Sequence, residues 1–319
     1  YLYLKNLNLT KLSSVFGGIA FAFSSFMMMR FEFGITGHTF LWLPLILLSI
    51  DKIKEKFSLG WWFCGVISLM MMCLGGYLQA FLYGFIIAFF YALFRKKHFL
   101  FWLPFFIIPI LLAMIQILPF LEMIKNSSRL DMYHQTDNAY ENHFLTLIRS
   151  VTVLVPDFFG NPVTQNFWGN VPYQELALYD GIIVFFFFLF SIFYVRGKTA
   201  RFWFFTLLFA LLFLFKNPLA RLPYTLKLPG YSSLLPSRLV SIIDLCLPVL
   251  AAFGLSFWQK IKNEKEKFRL ILRPLLLMVV IFLGLWLIIF FLPKFNPGLS
   301  SEMIIARRNT LLPTLYLFC

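Results

Sequence analysis

Long apolar runs, broken by short basic or polar connections, recur along the whole chain. A run such as 182–190 is apolar at every position. It shows neither the alternation of a half-buried strand nor the two-faced pattern of a surface helix. The runs predict membrane-spanning helices at about 14–29, 39–50, 59–74, 78–94, 99–121, 182–195, 202–215, 239–258 and 274–292, with a tenth beginning near 310. Crossing the hydrocarbon core takes about 20 residues. The 39–50 run is short of that, and reads as a span that starts earlier or tilts, or as a re-entrant piece. The expected fold is an all-α polytopic membrane protein of nine to ten spans, a single transmembrane domain over 1–319. A polar loop, 122–180, lies within it. Residues 1–7 read as the tail of an earlier span and the last run stops at Cys319, as expected of a fragment.

Composition agrees with the pattern: 60% of residues are hydrophobic and 13% charged, with a mean hydropathy of +0.80. A water-soluble fold of this composition would expose large apolar patches. The dyad repeat of a membrane β-barrel is missing. The net charge of +14 is mostly topology. Seventeen of the 28 Lys and Arg fall in alternate connections: Lys5 and Lys11; Lys52, Lys54 and Lys56; Arg95, Lys96 and Lys97; Arg196, Lys198 and Arg201; and a final group from Lys260 to Arg273. The positive-inside rule puts these connections in the cytoplasm, and every span then alternates consistently. The basic residues form short clusters beside spans and no folded basic domain, so a nucleic-acid partner is not expected.

The same alternation puts the 122–180 loop outside the membrane. It carries Pro156-Asp157-Phe158-Phe159-Gly160-Asn161-Pro162, then Trp168-Gly169-Asn170, then Gln174-Glu175 and Tyr179-Asp180-Gly181. Loops this long are usually functional or disordered, and the aromatic, Gly and Pro content points to order. Lys125, Arg129, Arg149, Arg221, Lys227 and Arg238 lie on this face, against the topological bias. Snorkelling to headgroups explains any one of them; their clustering in two loops fits an anionic ligand. On the same side His38 lies in the first outer turn, Gln79 begins a span and Glu122 ends one, with Gln116 below Glu122. Asp244 lies inside a span and must face protein or water. Cys64, Cys73, Cys246 and Cys319 all lie in apolar runs without metal-ligand spacing, so no disulfide framework or zinc site is implied.

Several stretches together resemble the bacterial YfhO-type membrane proteins. They are Phe16-Gly17-Gly18 through Ser24 with His38 and Leu43-Pro44-Leu45; Leu118-Pro119-Phe120-Leu121-Glu122 with Ser127-Ser128-Arg129; the Pro156–Pro162 run; Tyr173-Gln174-Glu175 with Tyr179 and Gly181; and Leu228-Pro229-Gly230-Tyr231 with Pro236-Ser237-Arg238. The likeness runs in order from about Leu7 to Phe257. It implies a glycosyltransferase of the C-type fold in a bacterial cell membrane. Such an enzyme takes a sugar from a polyprenyl-phosphate donor and passes it to an extracellular glycopolymer such as teichoic acid.

On that reading Trp168, Tyr173, Asn161, Asn166 and Gln174 would bind sugar by stacking and amide hydrogen bonds. Arg238 would fork the donor phosphate, and Glu175 is the acidic candidate for taking the acceptor proton. Substrate contacts are expected from His38, Gln79, Glu122, Arg129, Asp157, Asn161, Trp168, Tyr179 and Arg238. The family's usual carboxylate lies in a first outer loop with no counterpart among these positions. A divalent cation stays open as a cofactor, with no ligand set visible for it. Two other classes also remain: a polysaccharide or lipid transporter or flippase, which would want ionisable residues along a mid-bilayer path, and a non-catalytic membrane scaffold.

The charge asymmetry makes a direct prediction. Single cysteines placed at Gln165 and Lys265 should react with impermeant reagents from opposite sides of the membrane. Labelling of both from one side would overturn the topology.

Overall fold

The computed structural model describes residues 1–32, 34, 36–95, 99–126, 143–226 and 234–318. Among them the regular structure is helical, apart from a single isolated bridge between Leu145 and Phe215. By length and composition two helices can cross a membrane, Pro236–Lys260 and Glu264–Phe295, or up to five spans if each of three bent pairs counts as one. The bent pairs revise the expected boundaries. The 14–29 run is two helices, Lys11–Ala22 and Ser25–Glu32, which meet at 42°. The 99–121 run breaks at Ala113, and its halves meet at 65°. Pro104, Pro109 and Pro119 each remove a ladder donor there. The 39–50 run lies on Thr36–Phe40 and on Leu43–Glu55, which continues past the apolar stretch. The last helix begins at Ser300, ten residues before the apolar run that announced it.

The chain divides into two compact units. The first comprises Tyr1–Asn8, Met27–Thr146 and Phe205–Ile243. Its centre is the Leu43–Glu55 helix, whose Leu43, Ile46, Leu47 and Ile50 are fully buried at helical spacing. This helix packs against Leu59–Leu74, Leu78–Phe94 and Leu2–Asn6. Helices approach closely where a side chain is missing: a Cβ on Gly65 would lie 2.4 Å from the Phe105 ring. Asp51, on the same central helix, is 1% exposed. It accepts from the Tyr91 hydroxyl at 2.9 and 3.0 Å and pairs with Arg95 Nε at 2.5 Å, while Asn6 reaches it at 3.5 Å. A buried carboxylate of this kind is tolerated only when paired and hydrogen-bonded.

The second unit comprises Leu9–Phe26, Leu147–Phe204 and Asp244–Cys319. Thr10 caps the Lys11–Ala22 helix by accepting from Ser13 N, and Thr10 N donates to Ser256 Oγ at 3.1 Å. The Glu264–Phe295 helix buries Met278, Phe282, Leu285 and Ile289 along one stripe. Its other faces present Val280, Leu283 and Leu287 more than half exposed. A helix that is apolar on its exposed side is built for a hydrocarbon surround.

Gly254 marks the tightest crossing in this unit. A Cβ there would fall 2.1 Å from the Phe187 carbonyl oxygen, which is backbone and cannot swing aside. Gly254→Ala should therefore cost about 1–3 kcal/mol, the usual range for overpacking. Gly284→Ala, where no atom lies within 4 Å, should be neutral or slightly stabilising. Thermal unfolding of the two purified variants checks both; an unchanged Gly254→Ala would refute the close crossing.

Candidate functional site

In the second unit the long loop folds through three short 3-10 helices, Leu147–Val153, Pro162–Thr164 and Tyr173–Leu176. Short polar contacts make it a structure of its own. Asp157 Oδ1 accepts a very short bond from the Tyr173 hydroxyl and a longer one, 3.4 Å, from Asn161 Nδ2. The same Asn161 amide donates to Tyr173 Oη at 3.2 Å. Its Oδ1 caps the Pro162–Thr164 turn through Val163 N at 2.9 Å, and its backbone N–H donates to Asn166 Oδ1 at 2.8 Å. Asn309, on the Ser300–Phe318 helix, ties the turn down by donating to the Asp157 carbonyl at 2.5 Å.

Gly160 is needed at the centre of this knot. Its φ is +80°, and a Cβ would stand 2.2 Å from the Asn166 carbonyl oxygen. Partial burial and the bond to Asp157 both push the Tyr173 phenol well above its ordinary range.

The aromatic residues pack beside the knot. Trp168 lies 4.6 Å from Phe159 and 6.1 Å from Phe158, centroid to centroid. Phe167 meets Tyr173 edge-on at 5.5 Å. The Trp168 backbone N–H donates to the Phe159 carbonyl at 2.9 Å, while its indole N–H is buried without an acceptor. Asp157, Asn161 and Trp168 are thus brought together, with much of their capacity spent on holding the loop.

Glu175 lies on the Tyr173–Leu176 turn and is 4% exposed. That turn packs on the Leu147–Val153 turn, which carries Arg149. Burial lowers the Arg149 guanidinium below its usual range, and the Glu175 charge opposes the shift. In the sequence Arg149 is one basic residue among several in the outer loops. Its relation to Glu175, 26 positions further on, comes from the packing of two turns that have no periodic signal.

Below the Leu147–Val153 turn lies an apolar groove of about 510 Å³. Ile148, Val151 and Leu154 line it from the loop, and Gly284, Ile288 and Leu292 line it from the long helix.

Tyr179 closes the loop: its carbonyl accepts from Ser25 N–H at 3.0 Å. Burial raises its phenol, and the Tyr316 hydroxyl acts in the same direction while the Ile182 backbone opposes it.

The remaining expected contacts lie in the first unit. Gln79 clamps a backbone segment, donating to the Leu235 carbonyl at 2.8 Å and accepting from Leu235 N at 3.3 Å, with Tyr83 Oη also at 2.8 Å. Arg238 follows on the Pro236–Leu239 turn, its guanidinium 5.8 Å from the Tyr77 ring centre. This unit therefore brings Gln79 and Arg238 to the same turn. His38 is exposed and sits edge-on to Phe31 at 5.1 Å, and Glu122 is exposed on the Met114–Lys125 helix. Arg129, with Ser127, Ser128, Lys227 and the Leu228–Tyr231 stretch, lies outside the described residues. No cluster of three or more metal-ligating side chains occurs among the described residues.

No family model, curated protein or solved structure matches this chain.

The knot can be tested directly. Tyr173→Phe removes the donor to Asp157, a hydrogen bond to a charged group. It should cost about 1.5–3 kcal/mol in thermal or denaturant unfolding. In a double-mutant cycle with Asp157→Asn, the two losses should fall well short of additivity. Full additivity would mean that the contact contributes nothing.

Proposed function

We propose that this chain is part of a membrane glycosyltransferase that moves a sugar from a polyprenyl-phosphate carrier to an extracellular glycopolymer, teichoic acid being the type of acceptor. On this reading it spans a bacterial cell membrane nine to ten times in the manner of C-type glycosyltransferases. The long loop faces outward, and YfhO-type proteins are the relatives. The observation that carries the proposal is the apolar groove next to the loop. The same short turn that roofs the groove carries Arg149 beside the buried Glu175. A lipid-linked donor needs these two surfaces side by side, hydrocarbon for the chain and polar groups for the phosphate and sugar.

The chemistry follows from the parts. The acceptor hydroxyl attacks the anomeric carbon and its C–O bond forms. The bond from that carbon to the phosphate oxygen breaks, and the electron pair leaves with the phosphate. Glu175 takes the hydroxyl proton. Arg149 is the cation for the growing charge on the phosphate. The indole N–H of Trp168, buried without an acceptor, is a donor for a sugar oxygen. Because Glu175 is buried, the loop around it has to open for an acceptor to reach it.

Burial also favours a second reading of Glu175, as the carboxylate that organises the loop around Arg149. Transfer assays on the full-length protein separate the two. Glu175→Gln keeps the shape and should lower transfer by about 10²-fold or more if the carboxylate moves the proton, with the melting temperature nearly unchanged. A tolerated Gln together with a destabilised Glu175→Ala would assign Glu175 to structure and remove it from the chemistry.

A further inference from the structure

Two carboxyl groups meet in the second unit where neither has an obvious partner. Asp244 is 0% exposed on the long buried helix. Asp180, at the end of the loop, is half-buried as a residue, while both its carboxylate oxygens are sealed from solvent. The two side chains are close enough to interact with each other. Yet none of the four oxygens makes a hydrogen bond of standard geometry to the protein.

Three chain segments converge on the pair. The helix carrying Asp244 is one. The second is the break between Lys11–Ala22 and Ser25–Glu32, which brings the Ser24 hydroxyl and the Phe26 N–H to Asp244. Ser24 also reaches the Phe21 carbonyl at 3.0 Å. The third is the loop end, where Tyr179 is pinned to Ser25 and Gly181 takes a φ of +113°. The Tyr179 phenol interacts with Tyr316. Among the described residues no Lys, Arg or His pairs with either carboxyl.

Two ionised carboxylates in a sealed site without a cation are prohibitively costly. The surroundings of the two groups differ. The Ser24 hydroxyl and the Phe26 N–H approach Asp244, whereas Asp180 has only Asp244. We propose that Asp180 and Asp244 form a proton-binding site, in which Asp180 carries one proton and donates it to the ionised Asp244. The pairing does not depend on the glycosyltransferase reading. Burial and the neighbouring carboxyl both push Asp180 well above the carboxylate range, as the assignment requires. Loss of the proton places two like charges together and loosens the loop end from the helix break.

The sign of the pH effect is fixed. In the unfolded chain an aspartate titrates near ~3.9, so around neutrality the folded pair binds more protons than the unfolded one. Stability is then highest in acid and falls as pH rises, until the folded pair has lost its proton. Asp180→Asn keeps a donor to Asp244 and carries no titrating proton. It should abolish the fall contributed by the pair and leave a flatter melting profile.

The wild-type protein, in full length and in nanodiscs, supplies the measurement that needs no variant. Infrared spectra at neutral pH should show a protonated-carboxyl C=O band that shifts in D₂O and is absent from Asp180→Asn. Absence of this band in the wild type, or an unchanged pH slope in Asp180→Asn, would overturn the proposal. So would a melting temperature that drops on chelation and recovers with Mg²⁺ or Ca²⁺, because the pair would then hold a metal ion in place of the proton.

Discussion

A polar group placed among apolar residues has no water to turn to, and this requirement orders the molecule. Buried carboxylates in the described residues meet it in two ways. Asp51 shows the first solution. Its carboxylate takes a phenol, a guanidinium and an amide from two other segments, and so draws the first helix and the end of the Leu78–Phe94 helix onto the central one. The Asp180–Asp244 pair shows the second, since each carboxyl has the other as its neighbour. Removal of one partner from such a site costs more than the pair contributes, because the remaining group keeps its desolvation penalty.

The long loop answers the same requirement by a different route. Among its described residues no helix or strand is long enough to satisfy the backbone, so side chains supply the bonds. Asn161 alone serves three polar partners and one turn cap. This is why residues that look suited to a sugar are also the residues that hold the loop. Structural and binding roles need not conflict. A rigid knot fixes the Trp168 ring and leaves its indole N–H without an acceptor, and preorganised polar groups are what selective recognition requires.

Glycine has a matching role in the helical part. Gly65 and Gly254 stand where a methyl group would strike a neighbouring ring or carbonyl. Close approach of this kind replaces the hydrophobic effect as the source of helix association wherever the surround is hydrocarbon. The exposed face of the Glu264–Phe295 helix is apolar as well, as a hydrocarbon surround would require.

Helical class and the position of most apolar runs could be read from the amino-acid order. Each depends on local composition, and an apolar run declares itself within its own length. The breaks at Phe23–Ser24 and Ala113 could not be read in this way, because a run stays apolar whether its helix bends or not. Depth alone marks Asp244 as needing a partner, while nothing in the order of residues points Asp180 to it. That they meet is decided by where the loop returns to the helix break. The partnership of Asp157 with Tyr173, and of Arg149 with Glu175, has the same origin. Local sequence determines which groups have to be satisfied. Only the tertiary fold decides which groups satisfy them, because the partners are separated along the chain and carry no shared periodicity.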